Sequence, residues 1–440
     1  MADANESPAR GRAVRIVRTL QEQGHVAYLA GGCVRDRLLG LDPKDYDVAT
    51  DATPERVRQL FPRTRFVGEA FGVVLVFEQG HPFEVATFRS EWGYEDGRRP
   101  DHVRFSDADQ DAQRRDFTVN GLFEDPIAER IIDHVGGRDD LAARVIRAIG
   151  EPGQRFGEDY LRLLRAVRFA AQLDFEIEPD TAGAIARHAP QLERISRERI
   201  GMEMQAMLSG PRPARAATLL QSLGLDAPAL KEPALTADLP TLSRLGPSPD
   251  LVAALGAWAL DRHLLPGLPP GAAAGDLAGP LDRFADAAGT LVRRWRRALC
   301  LTNQQRDALR HCLATLPTLL AWPALRVAHR KRLMARPQWP DCIRVFACLE
   351  IEGLDALRRA IDDEGTRLEA EGIAPAPLLT GDDLIVTGRK PGPRFSRLLD
   401  LVYDAQLEGT VRTRDEALEW LDREAKPGEG PAPPWPRGLR

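Results

Sequence analysis

The chain has 440 residues, 43% apolar and 28% charged, enough for two or three packed domains at roughly 150 residues each and too apolar for a disordered tail protein. Sixty basic against sixty-five acidic residues leave a net charge of −5, which taken whole speaks against a simple nucleic-acid binder, expected to be basic. Five cysteines without a Cys-x-x-Cys pair argue against a disulfide framework or zinc ribbon; a reducing cytoplasm is expected, and with no apolar leader or long apolar run, neither secretion nor a membrane span.

Residues 1–11 read as a loose polar, disordered lead. Val14, Val17 and Leu20 then predict a helix ending at Gly24, before the strand-like HVAYLA and a Gly-Gly that opens another helix. Through residue 148, β-rich runs such as GVVLVFEQG and PFEVATF alternate with loops and helices. This predicts an α/β or α+β catalytic head over 12–148. Beyond Gly150 the pattern is helical nearly throughout, read as a neck (149–212), a body (213–372) and a tail (373–425). Residues 264–280, rich in Pro and Gly, read as a surface loop or insertion, and 426–440 (KPGEGPAPPWPRGLR) as disordered.

The strongest local signal is LAGGCVRDRLLG followed by PKDYDVAT. Gly31 and Gly32 stand at a strand-to-helix junction, where backbone N–H groups can meet a phosphate and Arg35 adds charge one turn on. Asp45 and Asp47, two apart on a short strand, share one face, and paired hard oxygen ligands suit Mg²⁺ completed by substrate phosphates. Asp-x-Asp alone is a common surface pattern; the glycine junction upstream is what favours the metal. Glu84 interrupts an apolar strand between the small Pro82 and Ala86, leaving that face open to a site, with an edge strand as the plain alternative. Arg89 to Phe105 reads as a long polar loop of the kind that often serves as a lid. RRDFTVNGL carries Arg114, Arg115, Asp116 and Asn120, either a solvated helix start or contacts to ribose and phosphate. EDYLRLLRAVR places Asp159, Arg162, Arg165 and Arg168 at steps of three, a broad helical stripe that could equally be a solvated face.

The ordered set GGxVRD, DxD, RRDFTxN and EDxxR resembles the class II tRNA nucleotidyltransferase and bacterial poly(A) polymerase superfamily over residues 29 to about 210, ending with ISRERIGMEM and its Arg199. LTGDDLIVTGRKPGPRFSRLLDLVYDAQLEG at 379–409 is similar to the tail of CCA-adding enzymes. The resemblance implies an α+β fold: a polymerase β-like nucleotidyltransferase head with a mixed sheet, then an all-α neck, tRNA-binding body and tail. It implies Mg²⁺ on Asp45 and Asp47 and triphosphate on Gly32 and Arg35, beside Gly31; Glu84 is expected as a third catalytic carboxylate from its strand position. Arg115, Asp116, Asn120, Arg165 and Arg168 complete the nucleotide site, with base selection by Asp159 and Arg162. The implied reaction is template-independent addition of CCA to a tRNA 3′ end from CTP and ATP.

VGEAFGVVLV carries Glu69 and Ala70 where poly(A) polymerases carry a basic pair, and the Arg89–Phe105 loop has the full length that CC-only adders lack. Both features favour complete CCA addition. A-only addition, poly(A) synthesis and a non-catalytic RNA-binding protein on the same fold stand as alternatives. The charge is also segregated: residues 290–338 hold eleven basic side chains against Asp307, a net of +10. A chain that is acidic overall can thus present a basic helical surface to RNA.

Overall fold

The structure, a computed structural model, describes residues 7–67, 72–92, 102–387, 389 and 392–424. The chain divides into two units, Met1–Ala234 and Leu235–Arg440.

The first unit opens with α1 (Pro8–Glu22), which starts inside the expected lead because the Ser7 hydroxyl accepts the Ala9 N–H and Pro8 presets the first turn. The rest of that lead, residues 1–6, lies outside the described residues. Ala13, Ile16, Val17 and Leu20 form the buried stripe of α1.

The mixed sheet of the head comprises β1 (Ala27–Ala30), β2 (Asp47–Thr50), β3 (Thr64–Phe66), β4 (Val73–Glu78), β5 (His81–Thr87), β8 (Leu122–Asp125) and β9 (Arg130–Asp133), in the order β3-β4-β5-β2-β1-β8-β9. Only β2 and β5 run parallel. Their register, Val48 opposite Val85, sets Asp47 level with Glu84.

The expected polar loop at 89–105 is in part a ribbon: β6 (Arg89–Trp92) pairs antiparallel with β7 (His102–Phe105), while 93–101 lie outside the described residues. The ribbon is a separate two-stranded sheet in which Arg104 and Phe105 are exposed, and its sequence, RSEW and HVRF, lacks the alternation that marks a strand.

A helical neck follows, with α6 (Pro152–Glu158), α7 (Leu161–Leu173), α8 (Pro179–His188) and α9 (Arg197–Leu208). Helix α7 buries Leu163, Leu164, Val167 and Ala170 and packs on α9. A two-residue parallel bridge, Val145–Ile146 with Glu176–Ile177, is too short for any sequence pattern to reveal.

The second unit is helical around Leu251–His263, buried on nearly every side. A buried helix with apolar residues all round is what a central packing element requires. Trp258 on it meets Trp295 of Ala278–Leu299 at 6.3 Å between ring centroids. The expected insertion at 264–280 contains two short 3₁₀ turns, Leu265–Gly267 and Ala274–Asp276. Near the end, Leu379, Leu384, Val402, Ala405, Val411, Ala417 and Leu421 form a small core of their own. The expected disordered end, 426–440, lies outside the described residues. Among those described, no helix is long and apolar enough to cross a membrane.

Candidate active site

A cleft of about 540 Å³ opens in the first unit where the glycine junction, the RRD segment and α7 meet. At its rim the chain leaves β1 through Gly31, whose φ of +73° is left-handed and whose hypothetical Cβ would stand 2.9 Å from Arg115 Nη1. Glycine is therefore required twice over, by backbone conformation and by the guanidinium pressed against it. The Gly31 N–H donates to the Leu122 carbonyl at 2.9 Å, so this amide is committed to the fold. Helix α2 (Gly32–Leu38) then carries the buried Arg35, which donates to Asn120 Oδ1 at 2.6 Å and to Asp36 Oδ1 at 2.8 Å.

Asp47 opens β2, but Asp45 lies in the segment before the strand, so the expected pairing of both carboxylates on one strand face does not hold. The strand begins too late to include Asp45. Asp47 lines the cleft; Asp45 and Glu84 are outside its lining. The Asp47 side chain is accessible, as a ligand group at a cleft floor must be, yet the protein mass around it raises its carboxyl to about 6. The charges of Glu84 and Asp45 add to that rise, and Arg115 opposes it.

The RRD segment follows α4 (Ala108–Gln113), where Asp111, only 1% exposed, organises the approach. It accepts from Arg114 at 2.6 Å, Arg115 at 3.1 Å and the Arg89 N–H at 3.2 Å. Burial pushes its carboxyl up, but the two guanidiniums outweigh that and hold it below the usual range. The sequence reading missed Asp111; its spacing of three and four from two arginines was the available signal. Asp116 accepts from the Phe117 N–H, from Asn120 Nδ2 and from Arg165 at 2.6 Å. Although burial opposes it, the Arg165 charge together with the hydrogen bonds lowers this carboxyl to about 2.

The stripe expected from Asp159 to Arg168 is broken. Asp159 follows α6 in extended conformation, φ −151° and ψ 105°, before α7 begins. Its carboxylate is gripped by Arg199 of α9 at 2.6 and 3.2 Å and accepts the Leu161 N–H at 3.0 Å. Arg162 pairs with Glu158 and donates to the Arg155 carbonyl. Arg168 pairs with Glu203 of α9 and does not line the cleft. Each cation faces a different anion, so equal spacing along α7 does not become one shared surface.

Of the residues singled out in the sequence, Gly31, Gly32, Arg35, Asp47, Arg115, Asp116, Asn120, Asp159, Arg162 and Arg165 meet in this cleft. Arg114 and Arg199, also singled out there, line it too, and Leu161 and Phe169 are the residues the sequence did not point to.

Residues 27–147 match the family described as Poly A polymerase head domain, and residues 174–238 the one described as probable RNA and SrmB-binding site of polymerase A. The CCA-adding enzyme of Bacillus licheniformis is 33% identical over 419 residues, covering 93% of this chain and 97% of its own. The chain belongs to the class II CCA-adding enzyme and poly(A) polymerase superfamily. The CCA-adding enzyme of Geobacillus thermodenitrificans is 34% identical over 431 residues, covering 94% and 97% of the two chains. The crystal structure of the Bacillus stearothermophilus CCA-adding enzyme in complex with CTP matches with a TM-score of 0.70 at 31% identity, over 96% of this chain and 98% of that one. The mixed-sheet head followed by a helical remainder is the fold of this superfamily.

Nucleotidyl transfer in this superfamily implies a divalent metal. Among the described residues no three Asp, Glu, His or Cys side chains cluster closely enough to hold one unaided. The donor set nevertheless fits a hard cation bound partly through substrate phosphates: Asp47 is accessible and burdened by neighbouring negative charge that a cation would relieve.

Proposed function

We propose that the protein adds CCA to the 3′ end of tRNA without a nucleic-acid template, using CTP and ATP and releasing pyrophosphate. The observation that carries this reading is the single cleft joining the glycine junction, Asp47, the Arg115–Asp116 pair and the Asp159–Arg162 pair. The tRNA 3′ oxygen attacks the α-phosphorus; the bond to the bridging oxygen breaks as the new phosphodiester forms, and pyrophosphate departs. Asp45 and Asp47, with the nucleotide's phosphates, would hold Mg²⁺, which supplies charge for ionising the hydroxyl and for the leaving group. Glu84, level with Asp47 on the adjoining strand, supports the negative potential there. Arg35 and Arg115 take the triphosphate, and Asp116 with Asn120 the ribose. Arg165 steadies Asp116, and Arg168, through Glu203, steadies α7 against α9.

Base choice follows from donor and acceptor pattern. Cytosine and adenine both present an amino donor beside a ring-nitrogen acceptor; uracil and guanine present the reverse. Asp159 accepts from the amino group while Arg162 donates to the ring nitrogen. A wrong base leaves buried groups unpaired at about 1–3 kcal/mol each. Arg199 prevents the Asp159 carboxylate from turning away, so the selection is built in before a nucleotide arrives.

In the second unit, Arg293, Arg296, Arg297 and Arg310 are exposed; Arg293 and Arg296 donate to the neutral Thr290 and Asn303, and Asp307 feels the charges of Arg296 and Arg310. We assign this tip, at the turn between Ala278–Leu299 and Asn303–Leu320, to the RNA backbone. On this reading the protein acts on tRNA ends in the cytoplasm. Incubating tRNA that ends at the discriminator base with one labelled nucleotide at a time tests the reading. CTP alone is expected to be incorporated first, and ATP once two cytidines are present; incorporation of UTP or GTP at comparable rates, or of nothing, would contradict it.

A further inference from the structure

The Phe169 ring is the meeting point of three guanidiniums. Arg168 lies over it at 4.3 Å from the centroid, Arg35 at 5.2 Å and Arg165 at 5.3 Å. Each of these cations is tied on another side to a carboxylate: Arg35 to Asp36, Arg165 to Asp116, Arg168 to Glu203. Those hydrogen bonds, with a further one from Arg35 to Asn120 Oδ1, act in the plane of each guanidinium. The electron-rich ring supplies a second, neutral point of attraction that does not compete for the nucleotide's phosphates.

The fold makes Phe169 rigid. It stands four residues after Arg165 on α7, so the two share a helix face. It meets the fully buried Phe117 edge to face at 5.9 Å and 77° and is itself 7% exposed while lining the cleft. Two of its three cations, Arg35 and Arg165, also line the cleft, and they arrive from different elements: α2 beside the glycine junction, and α7 beside Asp159.

We propose that Phe169 is a positioning residue for nucleoside triphosphates: its ring fixes the spacing between the guanidinium that meets the phosphates and the one that orients Asp116. This rests on the proposed function only in taking the cleft's ligand to be a nucleoside triphosphate.

The test is direct CTP binding by calorimetry, with steady-state incorporation beside it, for the wild type, Phe169→Leu and Phe169→Tyr. Leucine keeps an apolar side chain and removes the π system; tyrosine keeps the ring. Phe169→Leu is expected to weaken CTP binding and raise KM roughly tenfold, with kcat changed much less, given the usual strength of desolvated cation–π contacts. Phe169→Tyr is expected to stay within about twofold of wild type. Leucine binding CTP as wild type does, or tyrosine failing as badly as leucine while both melt cooperatively, would overturn the proposal. A wild type that binds CTP but transfers it to no RNA would overturn the proposed function and leave the ring's role standing on the binding data; one that binds no nucleoside triphosphate would overturn both.

Discussion

Two arginine-rich regions of this chain use the same side chain in opposite ways. In the first unit, Arg35, Arg114, Arg115, Arg162, Arg165 and Arg199 converge on one cleft, and each is held by an acidic neighbour. In the second, Arg293, Arg296, Arg297 and Arg310 are exposed, and the carboxylate near Arg296 and Arg310, Asp307, is itself exposed and hydrogen-bonded to Arg306. A guanidinium already fixed by a carboxylate loses little freedom when a small ligand arrives, and so favours one geometry. A free, solvated one gains most from an extended polyanion, through release of condensed counterions. The contrast separates a preorganised nucleotide site from a diffuse RNA-holding surface, and each can be broken without the other.

The largest effect is expected from Asp47→Ala. It should cut incorporation by a factor on the order of a thousand or more, while a filter-binding assay finds RNA affinity unchanged. Next, Arg162→Ala and Arg199→Gln should each reduce the preference for CTP and ATP over UTP and GTP by roughly 10–100-fold, from lost pairing to the base or a freed Asp159; single-nucleotide competition measures this. Equal loss for all four nucleotides would mean that the pair does not read the base.

Asp116 gives a pH signature of intermediate size. Its carboxyl falls from the usual 3.8 to about 2 in the fold, worth about 2 kcal/mol by linkage. A depressed pKa stabilises above the unfolded value, so this contribution is complete above about pH 4 and disappears as pH falls toward 2. Urea melts of wild type and Asp116→Asn should therefore differ at pH 6 and draw together below pH 3.

The smallest effect belongs to the exposed tip. Arg297→Glu with Arg310→Glu should weaken tRNA binding about tenfold near physiological salt and flatten the salt slope by about two, with CTP affinity unaltered. A drop in CTP affinity would erase the distinction between the two regions.

How far the sequence discloses this differs by residue. The Gly31–Gly32 junction, Arg115, Asp116 and Arg162 were legible because their chemistry is local: a turn, a triplet, one helix turn. Asp45 and Asp159 were assigned to regular elements that in fact begin at Asp47 and Leu161, and element boundaries depend on capping and packing that spacing does not encode. The Arg199 grip on Asp159 spans forty residues and joins α9 to the extended residue between α6 and α7, a contact no periodicity can reveal. The net charge of +10 over residues 290–338 proved to be two populations. Arg326, Arg330, Lys331 and Arg332 are engaged by Asp404, Glu364, Glu371 and Asp400 within the second unit, and Arg306 by Asp307, whereas Arg293, Arg296, Arg297 and Arg310 are exposed. The β-rich runs left α/β and α+β both open and the mixed sheet came with the family resemblance, whereas the β6–β7 ribbon read as a loop because RSEW and HVRF carry no hydrophobic alternation.

The central claim is that one untemplated cleft accepts cytosine and adenine and builds a defined end. Its most direct test is to incubate tRNA ending at the discriminator base with CTP and ATP together and to sequence the 3′ ends. Ordered CCA with no further growth is the expected product; A added only to tRNA already ending in CC, or long A tracts on unrelated RNA, would contradict it.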